Sequence, residues 1–167
     1  IDGFMNFSLN ENLRNTPHIH AYARGLYHDG GTYRSNRTIP GPRVEWISVE
    51  KDQIPAVIGD KLQELVGEKD LKKGAIKHSS ITVLTGAPSS TSAVSAGEIS
   101  SRVSLASYSS KLGENEVGFD TIRRFKGLEN QVIILTEIDP DAENFEVLTY
   151  VGITRARTHL IVVDQMK

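Results

Sequence analysis

Residues 121–135, TIRRFKGLENQVIIL, set three cations (Arg123, Arg124 and Lys126) and a carboxylate (Glu129) around one glycine, Gly127, and then run into an aliphatic stretch. Guanidinium and ammonium groups bind phosphate oxygens. A glycine lets the backbone turn tightly or come close to a ligand, and a carboxylate can accept ribose hydroxyls, as in nucleotide sites. The plain alternative for Glu129 is a surface ion pair with Arg123 or Lys126. Arg155 is the second candidate. In a helix beginning near Asn144 and carrying FEVLTYVGITRAR, Leu148, Val151 and Arg155 recur at spacings of three and four and share a face, while Arg157 points elsewhere. A guanidinium on an apolar stripe needs an anionic partner, because desolvating it unpaired is costly. A phosphate or a carboxylate such as Glu129 meets that need.

Several chemistries find no support. The chain has no Cys, which excludes a thiolate metal site, a cysteine nucleophile and a disulfide framework, and it fits an intracellular, cytoplasmic location. No Ser-His-Asp pattern with a nucleophile elbow occurs. Of the five His, His18 and His20 fall on different faces of a helix, His28 lies near that helix's end, and His78 and His159 stand alone, so no metal-ligand spacing appears. No apolar run has the length of a membrane span, and the start IDGFMNF reads as an internal cut from a longer chain. A net charge of −2 and a pI near 6.2 leave no overall basic field, so any nucleic-acid contact must come from local clusters.

The elements that must position these residues read as alternating strands and helices. VIIL at 132–135 and LIVV at 160–163 are continuous aliphatic runs, as in strands covered on both faces of a parallel sheet. ITVLTG at 81–86, FMNFSL at 4–9 and the alternating RVEWISV at 43–49 are further strands. One helix starts at Thr16-Pro17 and stops at Gly30-Gly31; another carries Ile54, Val57, Ile58, Leu62, Leu65 and Val66 as one apolar stripe. With 167 residues, 38% hydrophobic and 24% charged, the chain suits a single α/β domain over 1–167 with a mainly parallel sheet and helices on both faces. Ten Ser between Ser89 and Ser110 mark a surface excursion, about 89–116, outside the core.

Three stretches in order, ENLRNTPHI at 11–19, TIRRFKGLENQVIIL at 121–135 and YVGITRARTHLIVV at 150–163, resemble motifs IV, V and VI of the second RecA-like domain of UvrD/Rep-like superfamily I DNA helicases. The resemblance implies an ATP-dependent motor domain in which Arg14 reaches the γ-phosphate, Glu129 holds the ribose beside Gly127, and Arg155 is an arginine finger for the transferred phosphoryl. Thr121, with Arg123, Arg124 and Lys126, would grip single-stranded DNA or a partial duplex by its phosphates. Arg123 stands where the family usually has His, a change compatible with a phosphate contact. Leu13 replaces a common aromatic and Phe125 a small residue, both as packing variations. No Gly-Lys dipeptide and no Asp-Glu pair occur, so there is no P-loop and no Mg²⁺ box. ATP and Mg²⁺ would be held chiefly by an N-terminal RecA-like domain of the same polypeptide, and the isolated fragment would be inactive. The Ser-rich stretch leaves no room for the large domain that some members insert before motif V. The rival expectations are a non-hydrolysing module binding nucleic acid or a partner protein, and an RNA-directed motor. No membrane partner is expected.

Overall fold

In a computed structural model, residues 11–26, 34–67, 76–108 and 111–165 are described. The strand expected at 4–9, the Gly30-Gly31 helix stop and His28 lie outside these residues.

Seven strands form one sheet in the order β3-β9-β8-β4-β7-β6-β5: β3 is Glu45–Val49, β4 Ile81–Thr85, β5 Gly97–Ser100, β6 Val103–Ser107, β7 Glu116–Thr121, β8 Asn130–Thr136 and β9 Ala156–Gln165. All neighbours run parallel except the edge pair β5 and β6. The aliphatic runs explain the centre. In β4 every residue is buried, and in β8 and β9 successive side chains enter opposite cores, Ile134 and Ile161 on one side, Ile133, Leu135 and Val162 on the other. β3 alternates in exposure, as its sequence requires.

Helices cover both faces. α2 (Ile54–Val66) buries Ile54, Ile58 and Leu62 against the first core. α1 (Pro17–Leu26) and α3 (Phe145–Ile153) cover the second. α1 does begin at Pro17, although the Thr16 hydroxyl is buried without a hydrogen-bond partner and caps nothing. Two short strands, β1 (Glu11–Asn12) and β2 (Arg34–Ser35), pair apart from the main sheet.

Two expectations are corrected. The Ser-rich stretch is not merely a surface excursion: it supplies β5 and β6, and Val94, Val103 and Leu105 are in the core. The few aliphatics suffice because β6 buries only one face, through Val103 and Leu105, and the edge strand β5 is largely exposed. Arg155 is not on α3. The helix ends at Ile153, Thr154 donates its N–H to the Tyr150 carbonyl, and β9 starts at Ala156, so Arg155 occupies the turn between them.

Candidate functional site

Because the strands run parallel, their N-terminal ends share one edge and their C-terminal ends the other. Five charged residues from four separate segments meet at the N-terminal edge. Asn12 accepts the backbone N–H groups of Arg14 (2.9 Å) and Asn15 (3.0 Å) through Oδ1, an Asx turn that presents the Arg14 side chain. Arg14 Nε lies 2.8 Å from Glu129 Oε2, and Arg157 Nε lies 3.5 Å from Glu129 Oε1. Glu129 reaches this point through Gly127, whose φ of 89° is the left-handed backbone that glycine adopts without strain. The β8–β9 register brings Arg155 beside it, with the Asn130 N–H donated to the Arg155 carbonyl at 3.1 Å.

The Arg155 guanidinium donates to the carbonyls of Val151 (Nε, 3.0 Å) and Leu128 (Nη1, 3.2 Å) and to Thr154 Oγ1 (Nη2, 3.2 Å). Burial lowers its pKa, with repulsion from Arg14 in the same direction and Glu129 and Tyr150 opposing. It keeps its charge at any physiological pH. Neither structural alternative is formed: the Glu129 ion pairs are with Arg14 and Arg157 rather than with Arg123, Lys126 or Arg155. The Arg157 side chain, expected to point elsewhere, belongs to the cluster.

Two residues that motif spacing did not single out tie these segments together. Asn15, almost fully buried, donates through Nδ2 to the carbonyls of Thr154 (3.1 Å) and Ala156 (2.6 Å). Arg37 donates through Nη1 to the carbonyls of Arg14 (3.0 Å) and Arg157 (3.1 Å). Asn15 directly follows Arg14, so its neighbourhood was legible; nothing local marks Arg37.

The other edge carries the basic turn. Thr121 ends β7 and its Oγ1 accepts the Arg124 N–H at 3.3 Å. Ile122 and Phe125 are buried, Phe125 edge-on to Tyr108 with ring centroids 4.6 Å apart, so Arg123, Arg124 and Lys126 are left outside. That alternation answers why cations stand so close to a buried run: two apolar side chains anchor the turn and the charged ones are what remains exposed. Arg124 Nε lies 3.4 Å from Oδ1 of Asp120. A cleft of about 1130 Å³ follows this edge and is lined by Thr121, Arg123 and Arg124, with the acidic Glu137, Asp139, Asp141 and Asp164 farther along. Lys126 is outside that lining. Burial raises the pKa of Asp164, against the lowering effect of the N–H groups of Gln165 and Ile138. The Glu137 carboxylate is occupied, accepting from Thr85 Oγ1, Ser92 Oγ and the Ala93 N–H, and so straps the 86–93 loop to β8.

Against known proteins, residues 117–163 match the model of the UvrD-like helicase C-terminal domain. The matched stretch is 47 of the chain's 167 residues. The match runs from β7 into β9 and so holds Thr121, Glu129 and Arg155 but not Arg14. Among solved structures, the C-terminal domain of a possible DNA helicase from Lactobacillus plantarum WCFS1 is similar at a TM-score of 0.61 and 16% identity, covering 92% of this chain and 88% of that one. That likeness establishes the fold, which is RecA-like. Looser likenesses are to arterivirus nonstructural protein 10, a helicase (TM-score 0.41, 14% identity, 93% of this chain and 25% of that), and to the PRRSV helicase (0.43, 18%, 93% and 23%). The chain thus spans about a quarter of either viral protein. No curated protein matches.

The histidines at 18 and 20 have structural partners. His18 Nδ1 lies 3.1 Å from the Gly41 carbonyl and His20 Nδ1 lies 2.9 Å from Asn12 Nδ2. Among the described residues no group of three or more His, Cys, Asp or Glu is arranged to hold a metal, and no helix is long and apolar enough to cross a membrane.

Proposed function

We propose that this domain is the second half of an ATP-dependent DNA motor of the UvrD-like kind, with the nucleotide at the N-terminal edge of the sheet and a single strand at the C-terminal edge. The observation that carries the reading is the gathering of four arginines with one carboxylate: Glu129 pairs with Arg14 and Arg157, while Arg37 donates to the carbonyls of Arg14 and Arg157 and Arg155 to that of Leu128. Four guanidiniums with one carboxylate leave excess positive charge and unused N–H donors, which suits a triphosphate.

The Arg14–Glu129 pair is half exposed on both sides, so it contributes less than about 1 kcal/mol and exchanges readily for a ligand. Its opening frees Glu129 to accept ribose hydroxyls and Arg14 to reach phosphate oxygens. Arg155, held by backbone carbonyls, meets charge developing on the transferred phosphoryl. The chain holds no Gly-Lys dipeptide and no Asp-Glu pair, so Mg²⁺ and the phosphate-cradling loop would be supplied by a first RecA-like domain of the same polypeptide. When bound, the nucleotide supplies the phosphoryl group and its charge.

Thr121, Arg123 and Arg124 offer a hydroxyl and two cations to successive phosphates, and Lys126 adds a third charge just beyond the cleft. The segment 121–129 joins this grip to Glu129, across a sheet roughly 20 Å from edge to edge at about 3.3 Å per strand residue. One covalent path therefore links nucleotide state to strand grip.

The test is ATP hydrolysis by the full-length protein, with and without single-stranded DNA, beside Arg155→Ala. DNA-stimulated hydrolysis that falls by about 10³-fold or more in the variant is expected. Unchanged turnover in Arg155→Ala would exclude the finger role. A full-length protein that binds DNA and hydrolyses nothing would favour a binding module.

A further inference from the structure

Arg14 and Arg155 stand 141 residues apart, and each lies in a turn rather than in a regular element. An arginine in a turn is held only as well as that turn is held. Two side chains bind the turns to each other through main-chain atoms alone: Asn15 Nδ2 to the carbonyls on either side of Arg155, and Arg37 Nη1 to the carbonyls of Arg14 and Arg157.

We infer that Asn15 and Arg37 form a two-point clamp that fixes the spacing of Arg14 and Arg155, acting as positioning residues for phosphoryl transfer. The inference rests on the functional reading above. Both donors use geometry that a single-donor group lacks. An amide NH₂ has two N–H groups and satisfies two carbonyls at once, whereas a hydroxyl has one. A single guanidinium nitrogen, Nη1 of Arg37, likewise serves two carbonyls with its two N–H groups, a task that a lysine ammonium with three N–H groups can also perform. The bonds reach backbone, so they fix the turns without competing with a ligand for the Arg14 or Arg155 guanidinium.

The clamp also explains the asymmetry of the cluster. Arg155 is held by three bonds to neighbouring carbonyls and a hydroxyl, which leaves two of its five N–H donors for a ligand, while Arg14 stands on an Asx turn and reaches Glu129. Without a tie between the two turns, exchange of the Arg14–Glu129 pair for phosphate would let the first segment drift. A displacement of about 1 Å in a positioning group can lower a rate about a hundredfold.

The experiment compares Arg37→Ala, Arg37→Lys and Asn15→Ser in the full-length protein for kcat and KM of DNA-stimulated ATP hydrolysis and for thermal unfolding, with Arg102→Ala on the β5–β6 turn as a control. Arg37 is only half buried, so Arg37→Ala is expected to fold with an unchanged midpoint. Its kcat should fall by about tenfold or more with a smaller change in KM, the split that follows when stabilisation of the transition state rather than of the ground state is removed. Arg37→Lys should recover much of the loss, and Asn15→Ser should follow Arg37→Ala. Full kcat in Arg37→Ala beside an inactive Arg155→Ala would overturn the clamp and leave the motor reading intact. A kcat that falls only in step with folded fraction, without recovery in Arg37→Lys, would also overturn it. Absence of hydrolysis in the wild type would remove both readings.

Discussion

The two edges of the sheet are built by opposite strategies. At the N-terminal edge, residues 14, 37, 129, 155 and 157 converge from distant parts of the chain and are tied through backbone carbonyls and one shared carboxylate. At the C-terminal edge, Thr121, Arg123 and Arg124 come from one short turn, anchored by Ile122 and Phe125, with a single ion pair to Asp120. The first arrangement suits a site whose geometry must be held to within a fraction of an ångström. The second suits a grip on a repeating backbone, where a local turn can be altered without disturbing the rest.

Three variants probe that contrast, from the largest effect to the smallest. Phe125 is fully buried and anchors the segment that serves both edges. Phe125→Ala should destabilise the domain by about 3–5 kcal/mol, read by denaturant unfolding, and weaken hydrolysis and DNA binding together. Loss of one activity alone would show that the edges are not joined through this segment.

Gly127→Ala should act on the N-terminal edge. No atom lies within 4 Å of the added Cβ, so the penalty comes from the backbone conformation alone, about 1–2 kcal/mol. The shift of Leu128 and Glu129 should lower kcat/KM for ATP more than DNA affinity. An unchanged stability would mean that the φ of 89° at this position is not held in solution.

The double variant Arg123→Ala, Arg124→Ala should act on the C-terminal edge only. Its single-strand affinity should fall, and the slope of log affinity against log salt should decrease by about 0.7 for each phosphate that is no longer neutralised. Turnover at saturating DNA should stay within about twofold of wild type, since uniform binding affects KM rather than kcat. An unaltered salt slope would move the strand off this turn.

Much of the molecule could be read along the chain. Aliphatic runs at 132–135 and 160–163 and the stripe on α2 announce a doubly covered sheet, because burial on two faces or one leaves a periodic record in sequence. The 121–135 stretch displays its own anatomy, with glycine at the left-handed position and cations outside two buried side chains. Where information is local, pattern suffices. β5 and β6 leave a faint pattern because neither buries both faces, and Arg155 reads as helical because spacing alone does not reveal where α3 gives way to β9.

The sequence by itself determined the fold class and the types of charged residue available at each edge of the sheet. Only the tertiary structure decided which arginines meet, that Glu129 pairs with Arg14 and Arg157, and that Asn15 and Arg37 hold two turns together. Those contacts join positions as much as a hundred residues or more apart, through carbonyls that every residue possesses. A donor aimed at a backbone oxygen leaves no partner side chain in the sequence to betray it, so such a tie becomes visible only when the chain is folded.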